Sequence, residues 1–213
     1  MQISKQNVLK KWKYLHLFIR CSELFFVSSA LIISSPLLLV IALCIKLEEP
    51  KASIIFKQKR IGKDGKPFWM YKFRSMCHEA EFLLEELKQK NELTGQLFKL
   101  KNDPRVTKVG GIIRRLSLDE LPQLVNVLKG DMCLVGPRPA LESEYEKYTA
   151  YDKQRTEVKP GCTGLWQVSG RNQLTFVEMV KLDLYYIENQ SVLLNLKIVL
   201  RTFKEFTYKG SGY

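Results

Sequence analysis

The sequence has few of the residues from which metal and disulfide scaffolds are built. Its 213 residues include two histidines and five cysteines, and the cysteines lie far apart with no Cys-x-x-Cys pair: Cys21, Cys44, Cys77, Cys133 and Cys162. That spacing gives neither a zinc site nor a disulfide framework, and it favours free thiols in a reducing compartment. A chain of this length suits one domain with room for an appendage, and it can bury a core without such staples.

The sequence also lacks the two common nucleotide-binding fingerprints, GxxxxGK[ST] and GxGxxG, so neither a P-loop nor a Rossmann fold is predicted. Acidic residues are in deficit as well: 34 lysines and arginines stand against 22 aspartates and glutamates, and the formal net charge is +12. The excess predicts an anionic partner without identifying it. Nucleic acid, anionic lipid headgroups and nucleotide phosphates all carry the required charge.

Charge is absent from residues 24–45, LFFVSSALIISSPLLLVIALCI, a run long enough for a helix to cross a bilayer. Ser35-Pro36 lies near its middle, where proline removes a backbone hydrogen bond and bends a helix, and where Ser35 can serve a freed carbonyl. Both flanks are basic, whereas a spanning helix normally carries its lysines and arginines on the cytoplasmic side. These residues leave open a single crossing, a bent helix that enters one leaflet and returns, and a buried core helix.

Patterns along the rest of the chain predict a mixed fold. Alternating apolar and polar residues around Asp64-Gly65 predict a β-hairpin. An apolar stripe in residues 78–93 predicts a helix, and residues 107–132 predict a helix, a short break and a second helix closed by Gly130.

The C-terminal half combines rigid loops with helices. GPRP at 136–139 is predicted to be non-helical because both prolines fix φ, and the glycine-rich residues 159–172 predict a loop with short strands. Residues 173–209 predict two helices, the second capped by Ser191. Their composition suits either the membrane surface or packing on the core.

The stretch SLDELPQL at 117–124 sets Asp119 beside Glu120 in a basic region. Ser117-x-x-Glu120 is a capping-box pattern, and Pro122 fits a first helical turn. A helix N-terminus also attracts phosphate. Because adjacent helical side chains diverge, one carboxylate can hold Mg²⁺ while the other faces phosphorus. A helix cap and a phosphate-handling site both account for the pair.

Basic side chains suited to a diphosphate lie near the pair in sequence. Arginine offers planar, charge-assisted donors to phosphate oxygens, although each cation alone also fits an ordinary solvated surface. The residues concerned are Arg105, Arg114, Arg115 and Arg138, together with Lys72 and Arg74.

The segments YKFRSM, DPRVTKVGGIIRRLSLDELPQLVNVLKGDMCLVGPRP and KPGCTGLWQVSGRN resemble the bacterial sugar transferases, the monotopic phosphoglycosyl transferases. The resemblance covers nearly the whole chain, from residue 14 onward, and is closest to the minimal members of the family. It implies an α+β, mainly helical fold. A re-entrant membrane helix broken at Ser35-Pro36 would occupy residues 1–50. Residues 51–213 would form a cytosolic catalytic domain with a β-hairpin and amphipathic helices at the membrane surface.

The resemblance implies a two-step transfer, in which a sugar-1-phosphate moves from a UDP-sugar to polyprenol phosphate and UMP is released. Asp119 would be the nucleophile and Glu120 the ligand of the cofactor Mg²⁺. A covalent intermediate splits one transfer between two bulky substrates into two displacements. The residues expected to bind the substrate phosphates are Arg114, Arg138, Lys72 and Arg105.

The loop GLWQVSGR resembles that of members that transfer plain hexoses, galactose or glucose, rather than N-acetylated sugars. Expected partners are a UDP-sugar, undecaprenyl phosphate and membrane lipid, with no nucleic acid; homo-oligomerisation is left open. The expected location is the cytoplasmic face of the bacterial inner membrane. Three rival readings remain: the same reaction on an N-acetylated donor, a non-enzymatic membrane-anchored basic binding protein, and an envelope-assembly scaffold with a decayed site.

Overall fold

The computed structural model describes residues 5–80, 82–83, 103–170 and 173–209, with side chains between residues 19 and 204 of those ranges. Its first element is a long helix, α1, Lys5–Glu48. The part from Ile19 to Glu48 is long and apolar enough to cross a membrane by length and composition. One side of α1 is buried through Val27, Ile41 and Ile45. The other side exposes large apolar side chains at Phe25, Phe26, Ile32, Ile33, Leu37, Leu39, Val40, Leu43 and Leu47.

The predicted break of this helix at Ser35-Pro36 is not seen, because α1 continues through Pro36. Proline cannot donate to the carbonyl four residues earlier, which is that of Ile32. The Ser35 hydroxyl donates to that same carbonyl at 2.7 Å. The serine therefore serves the acceptor that the proline leaves free, as the sequence predicted, and helical geometry survives at this point. Re-entry into the membrane remains a prediction.

The predicted hairpin is confirmed. Strand β1, Ile55–Ile61, pairs with antiparallel strand β2, Pro67–Phe73. The turn contains a short 3-10 segment in which Asp64 and Gly65 adopt left-handed φ values of 56° and 72°. An aspartate-glycine pair tolerates this conformation at low cost, which explains why it marks the turn.

Two helices follow with a turn between them, also as predicted. Helix α2, Lys108–Arg115, begins at Thr107, whose hydroxyl accepts a hydrogen bond from Gly110 N. Helix α3, Gln123–Lys129, ends at Gly130 with φ 85°. A 3-10 turn, Leu118–Glu120, connects them. The dyad therefore lies in the turn and not inside a helix.

The predicted capping box at Ser117 is wrong. Ser117 has the left-handed angles φ 55° and ψ 22°, and its side chain caps no N–H group. A capping residue needs an extended backbone. Moreover, the Ser117 N–H already donates to the Arg114 carbonyl at 2.9 Å, and the Glu120 side chain is bound elsewhere.

The remainder surrounds a second small sheet, in which β3, Cys133–Val135, runs parallel to β4, Gly161–Thr163. The GPRP segment after β3 is non-helical, as predicted. Two short helices lie between these strands, α4, Glu142–Tyr145, and α5, Ala150–Lys153. The chain continues with α6, Phe176–Glu188, and α7, Val192–Lys209.

The C-terminal helices have both a side that packs on the core and an exposed apolar side, the two features that the sequence left open. Ser191 accepts a hydrogen bond from Leu194 N at 3.2 Å and so caps α7 as predicted. Tyr186 and Ile198 are buried in a cluster with Val135 and Leu165, while the outer side of α7 exposes Leu193, Leu196, Leu200 and Phe203. Of the predicted helix 78–93, residues 78 and 79 form a turn and residues 80, 82 and 83 are helical; residues 81 and 84–93 lie outside the described ranges.

The apolar core connects α1 to the hairpin and to the helices beside the dyad. One cluster contains Val27, Met70, Val127 and Met132. A second contains Ile41, Ile45, Phe73 and Ile113. Because α1 contributes to both clusters, it packs along the folded unit, and the domain boundary expected near residue 50 stays a prediction.

Candidate active site

The site is centred on the 3-10 turn with Asp119 and Glu120. Both side chains are partly exposed. Ser117, just before the turn, holds a left-handed backbone that is uncommon for a residue other than glycine. Leu118 packs against the cluster of Ile41, Ile45 and Ile113, so the dyad lies beside the C-terminal half of the apolar helix. Strained backbone of this kind concentrates at functional sites.

Glu120 is paired with Lys72, which projects from β2. The distance from Lys72 Nζ to Glu120 Oε1 is 2.5 Å. Burial acts to raise the pKa of Glu120, but the charges of Lys72, Arg138 and Arg60 outweigh it and hold the pKa below its ordinary value. The carboxylate is therefore ionised at neutral pH and stands in a field of cations.

Asp119 is held differently from its neighbour. Among the residues that the structure describes, no cationic side chain forms an ion pair with it. Burial and the adjacent charge of Glu120 raise the pKa of Asp119 to about 6, against the opposing effect of Lys72 and Arg114. At neutral pH most of this carboxylate is ionised, and it keeps a higher basicity than an exposed aspartate. These properties suit a nucleophile.

Arg138 of the GPRP segment reaches the same region. Its Nη1 lies 3.7 Å from Glu144 Oε1 on α4, and its charge acts on Glu120. Arg138 is only partly occupied by this long ion pair, so it retains donors for a substrate phosphate.

Arg60 also acts on the dyad, since its charge helps to lower the pKa of Glu120, and the sequence patterns do not single it out. It is buried, and it donates to Gln58 Oε1 at 2.7 and 3.1 Å and to the Pro139 carbonyl at 3.1 Å. Burial and the nearby charge of Arg138 lower the pKa of Arg60 to about 10. The register of the hairpin is the information from which Arg60 could have been identified. Arg60 and Lys72 occupy the same face of the hairpin once the turn is placed.

The other two predicted phosphate ligands differ in their surroundings. Arg114, in the last turn of α2, donates through Nε to Ser75 Oγ at 2.8 Å. Arg105 is buried and grips Asp103, with Nε to Oδ1 at 2.9 Å and Nη2 to Oδ2 at 2.6 Å. These bonds tie Arg105 to Asp103, and phosphate binding by Arg105 stays a prediction.

The donor set fits magnesium in one specific manner. Within the described ranges, no three His, Cys, Asp or Glu side chains are grouped so that they could hold a metal ion. Mg²⁺ is commonly bound by one or two carboxylates completed by substrate phosphates and water. Asp119 and Glu120 match that pattern, and Glu120 would be the ligand. Ser35 and Pro36 contribute nothing to this site, since both are exposed residues of α1.

Comparison with known proteins identifies the family of this chain. The family model for bacterial sugar transferases matches residues 14–209. The exopolysaccharide production protein ExoY of Sinorhizobium fredii is 40% identical over 188 residues, which are 86% of this chain and 83% of that protein.

Two larger relatives match over part of their length. The galactosyl transferase CpsE of Streptococcus agalactiae is 54% identical over 151 residues, covering 70% of this chain and 34% of that protein. The undecaprenyl-phosphate galactose phosphotransferase of Salmonella typhimurium is 44% identical over 187 residues, covering 86% of this chain and 39% of that protein. The chain thus spans about a third of the first of these relatives, and it belongs to the bacterial sugar transferase family.

Proposed function

We propose that the protein is a membrane-bound phosphoglycosyl transferase that moves hexose-1-phosphate from a UDP-sugar to undecaprenyl phosphate. The observation that carries the proposal is the asymmetry of the dyad. Glu120 is bound by Lys72 at 2.5 Å, whereas Asp119 forms no ion pair within the described residues yet lies among cations. An anionic nucleophile can approach a diphosphate only where such cations offset the repulsion.

In the first step, an oxygen of the Asp119 carboxylate attacks the phosphorus that bears the sugar. The bond from that phosphorus to the bridging oxygen of the diphosphate breaks, and UMP leaves with the electron pair. The product is an aspartyl phosphosugar. Arg114 and Arg138 would hold the phosphates in line for this displacement.

In the second step, a phosphate oxygen of undecaprenyl phosphate attacks the same phosphorus. The bond to Asp119 breaks, the carboxylate is regenerated, and the sugar leaves on a lipid diphosphate. Lys72 keeps Glu120 ionised and oriented throughout. Mg²⁺, which Glu120 would hold, would supply further neutralisation of the phosphate charge.

The contacts of α1 support a membrane topology in which both ends of the apolar run stay on the cytoplasmic face. Glu23, before the run, accepts a hydrogen bond from Leu134 N at 2.6 Å. Glu48, after the run, accepts from Lys108 N at 2.8 Å and Val109 N at 3.0 Å. Residues 23 and 48 lie roughly 37 Å apart along the continuous helix, and a straight crossing would put them on opposite sides of the bilayer. Here both bind the same folded unit.

Cysteine labelling tests this topology. In a variant with the native cysteines removed, Lys5→Cys and Lys57→Cys should both react with an impermeant reagent only after access to the cytoplasmic side is opened. Labelling of the two positions from opposite sides would contradict the proposed topology.

The sugar is proposed to be galactose or glucose. The loop containing Trp166 resembles hexose-transferring members, and relatives named for galactose and glucose transfer are 44% and 42% identical to this chain. The test is UMP release by the purified full-length protein with Mg²⁺, undecaprenyl phosphate and each UDP-sugar in turn. We expect turnover with UDP-galactose or UDP-glucose. Faster turnover of UDP-N-acetylglucosamine would overturn the sugar assignment, and no UMP from any donor would overturn the function.

A further inference from the structure

The side chain of Arg114 is held by a hydrogen bond to a buried serine that lies outside α2. Its Nε donates to Ser75 Oγ at 2.8 Å, and Ser75 is 8% exposed. Within the part of the chain that the structure describes, the terminal nitrogens of Arg114 have no hydrogen-bond partner. One edge of the guanidinium is thus anchored, and both Nη groups remain available as a fork for phosphate oxygens.

The serine can lie there because α2 has a glycine facing it. A Cβ atom on Gly110 would lie 2.0 Å from the Ser75 carbonyl oxygen and 2.7 Å from its carbon. These are backbone atoms, which cannot rotate away. The same carbonyl accepts a hydrogen bond from Thr107 N at 3.2 Å. The close approach of α2 to Ser75, and with it the contact to Arg114, therefore requires glycine at position 110.

Gly111 provides the matched comparison on the same helix. A Cβ atom there would have Val106 Cγ1 as its nearest neighbour, at 4.0 Å. Both glycines lie inside α2, so alanine at either position gives a similar gain in helix propensity. Only position 110 adds a collision with the backbone at Ser75.

We propose that Ser75 and Gly110 are positioning residues for the substrate diphosphate, acting through Arg114. The hydroxyl of Ser75 holds the guanidinium by Nε, and Gly110 allows the backbone of Ser75 to approach α2 closely enough to do so. This assignment rests on the proposed function, in which Arg114 binds the donor phosphates.

The first experiment measures binding of UDP to the full-length protein in the presence of Mg²⁺, which requires no turnover. Ser75→Ala should raise the dissociation constant about tenfold, because a charge-assisted hydrogen bond that orients the guanidinium is lost. Arg114→Ala should raise it at least as much. The double variant should bind UDP no more weakly than Arg114→Ala alone, since Ser75 acts through Arg114. A purely structural role for Ser75 predicts additive losses instead.

The second experiment compares the two glycines. Gly110→Ala should weaken UDP binding to about the same extent as Ser75→Ala, and it should add nothing in the Arg114→Ala background. Gly111→Ala should leave UDP binding unchanged. Equal behaviour of the two glycine variants, or unchanged binding by Ser75→Ala, would overturn the assignment. If the variants bind UDP as expected but the wild-type protein releases no UMP from any UDP-sugar, the proposed function is refuted and the positioning role stands.

Discussion

Two regions of the protein each combine an aspartate with cations, and they differ in how the aspartate is held. Burial raises the pKa of Asp119 and of Asp183, in each case to about 6. Asp183 on α6 is 0% exposed, and its Oδ2 accepts from Arg155 Nε at 2.8 Å and Nη2 at 2.5 Å. Asp119 is partly exposed and has no such partner among the described residues.

The surroundings of the cations differ in the same sense. Arg155 is closed in by rings: its Nη1 donates to the Tyr148 hydroxyl at 3.1 Å, and its guanidinium lies 5.8 Å from the Phe176 ring centre. Near the dyad, Arg114 and Arg138 keep unoccupied or weakly occupied donors. A perturbed pKa alone thus does not separate a reactive carboxylate from a structural one. Access, together with cations that are near but not bonded, does.

The largest effect that the comparison predicts is on activity at the dyad. Asp119→Asn should lower the rate of UMP release by about 10⁴-fold or more, because an amide cannot replace the attacking carboxylate. The midpoint temperature of thermal unfolding should be unchanged or raised, because the substitution removes a partly buried negative charge that is repelled by Glu120. Activity assays and thermal unfolding of the purified variant in detergent check this prediction. Near-normal turnover would return the dyad to a structural role.

The second effect is on stability rather than activity, at the buried ion pair of Asp183 with Arg155. Asp183→Asn leaves the Arg155 guanidinium, 6% exposed, without its counter-ion. The expected loss in free energy of unfolding is about 3 to 5 kcal/mol. Denaturant titration measures it. The exposed pair of Lys59 with Glu142, 3.2 Å apart, provides the control, since Glu142→Gln should cost less than about 1 kcal/mol. A stable Asp183→Asn with lost activity would make this pair part of the chemistry.

A third effect separates the two carboxylates of the dyad. Glu120→Gln removes a charge that Lys72 holds in place, and it should raise the Mg²⁺ concentration needed for half-maximal UMP release by roughly 10- to 100-fold. Asp119→Asn should not be rescued by added Mg²⁺. If Glu120→Gln leaves the Mg²⁺ dependence unchanged, Glu120 is not the metal ligand.

The smallest expected effect is a pH-dependent contribution of the Asp103–Arg105 ion pair to stability. The hydrogen bond from Arg105 holds the pKa of Asp103 below its ordinary value despite burial. A lowered folded-state pKa stabilises the protein above the unfolded-state pKa, and the stabilisation is lost as pH falls through the folded value. Asp103→Asn should therefore cost about 1.5 kcal/mol at neutral pH. The difference from wild type should shrink below about pH 4. A constant difference across pH would rule out the ion pair as its cause.

Sequence reasoning reached the elements that depend on local chemistry. Asp64-Gly65 marked the hairpin because that turn needs positive φ, and Gly130 marked the end of α3 for the same reason. The motif around Asp119 also gave the family, which the comparisons confirm.

What sequence reasoning missed depends on tertiary contacts. The left-handed Ser117 lies in the turn between two helices that each pack on α1, so its capping pattern misled. The position of Arg60 on the same face as Lys72 depends on the hairpin register, and the pairing of Arg105 with Asp103 depends on how that segment packs. Sequence reasoning anticipated that Ser35 would serve a freed carbonyl at Pro36, but it did not anticipate that the helix would continue there without a break.

The central claim is a covalent bond to Asp119, and mass spectrometry after rapid quenching tests it most directly. The full-length protein with Mg²⁺ and a UDP-hexose, without acceptor lipid, should release UMP in a burst limited to one per enzyme. It should then carry a hexose phosphate on the peptide that contains Asp119, and undecaprenyl phosphate should discharge that adduct. Asp119→Asn should show neither burst nor adduct. The Asp183→Asn variant, assayed under conditions in which it remains folded, should show both. UMP release that requires the acceptor lipid and leaves no adduct in the wild-type protein would contradict the account.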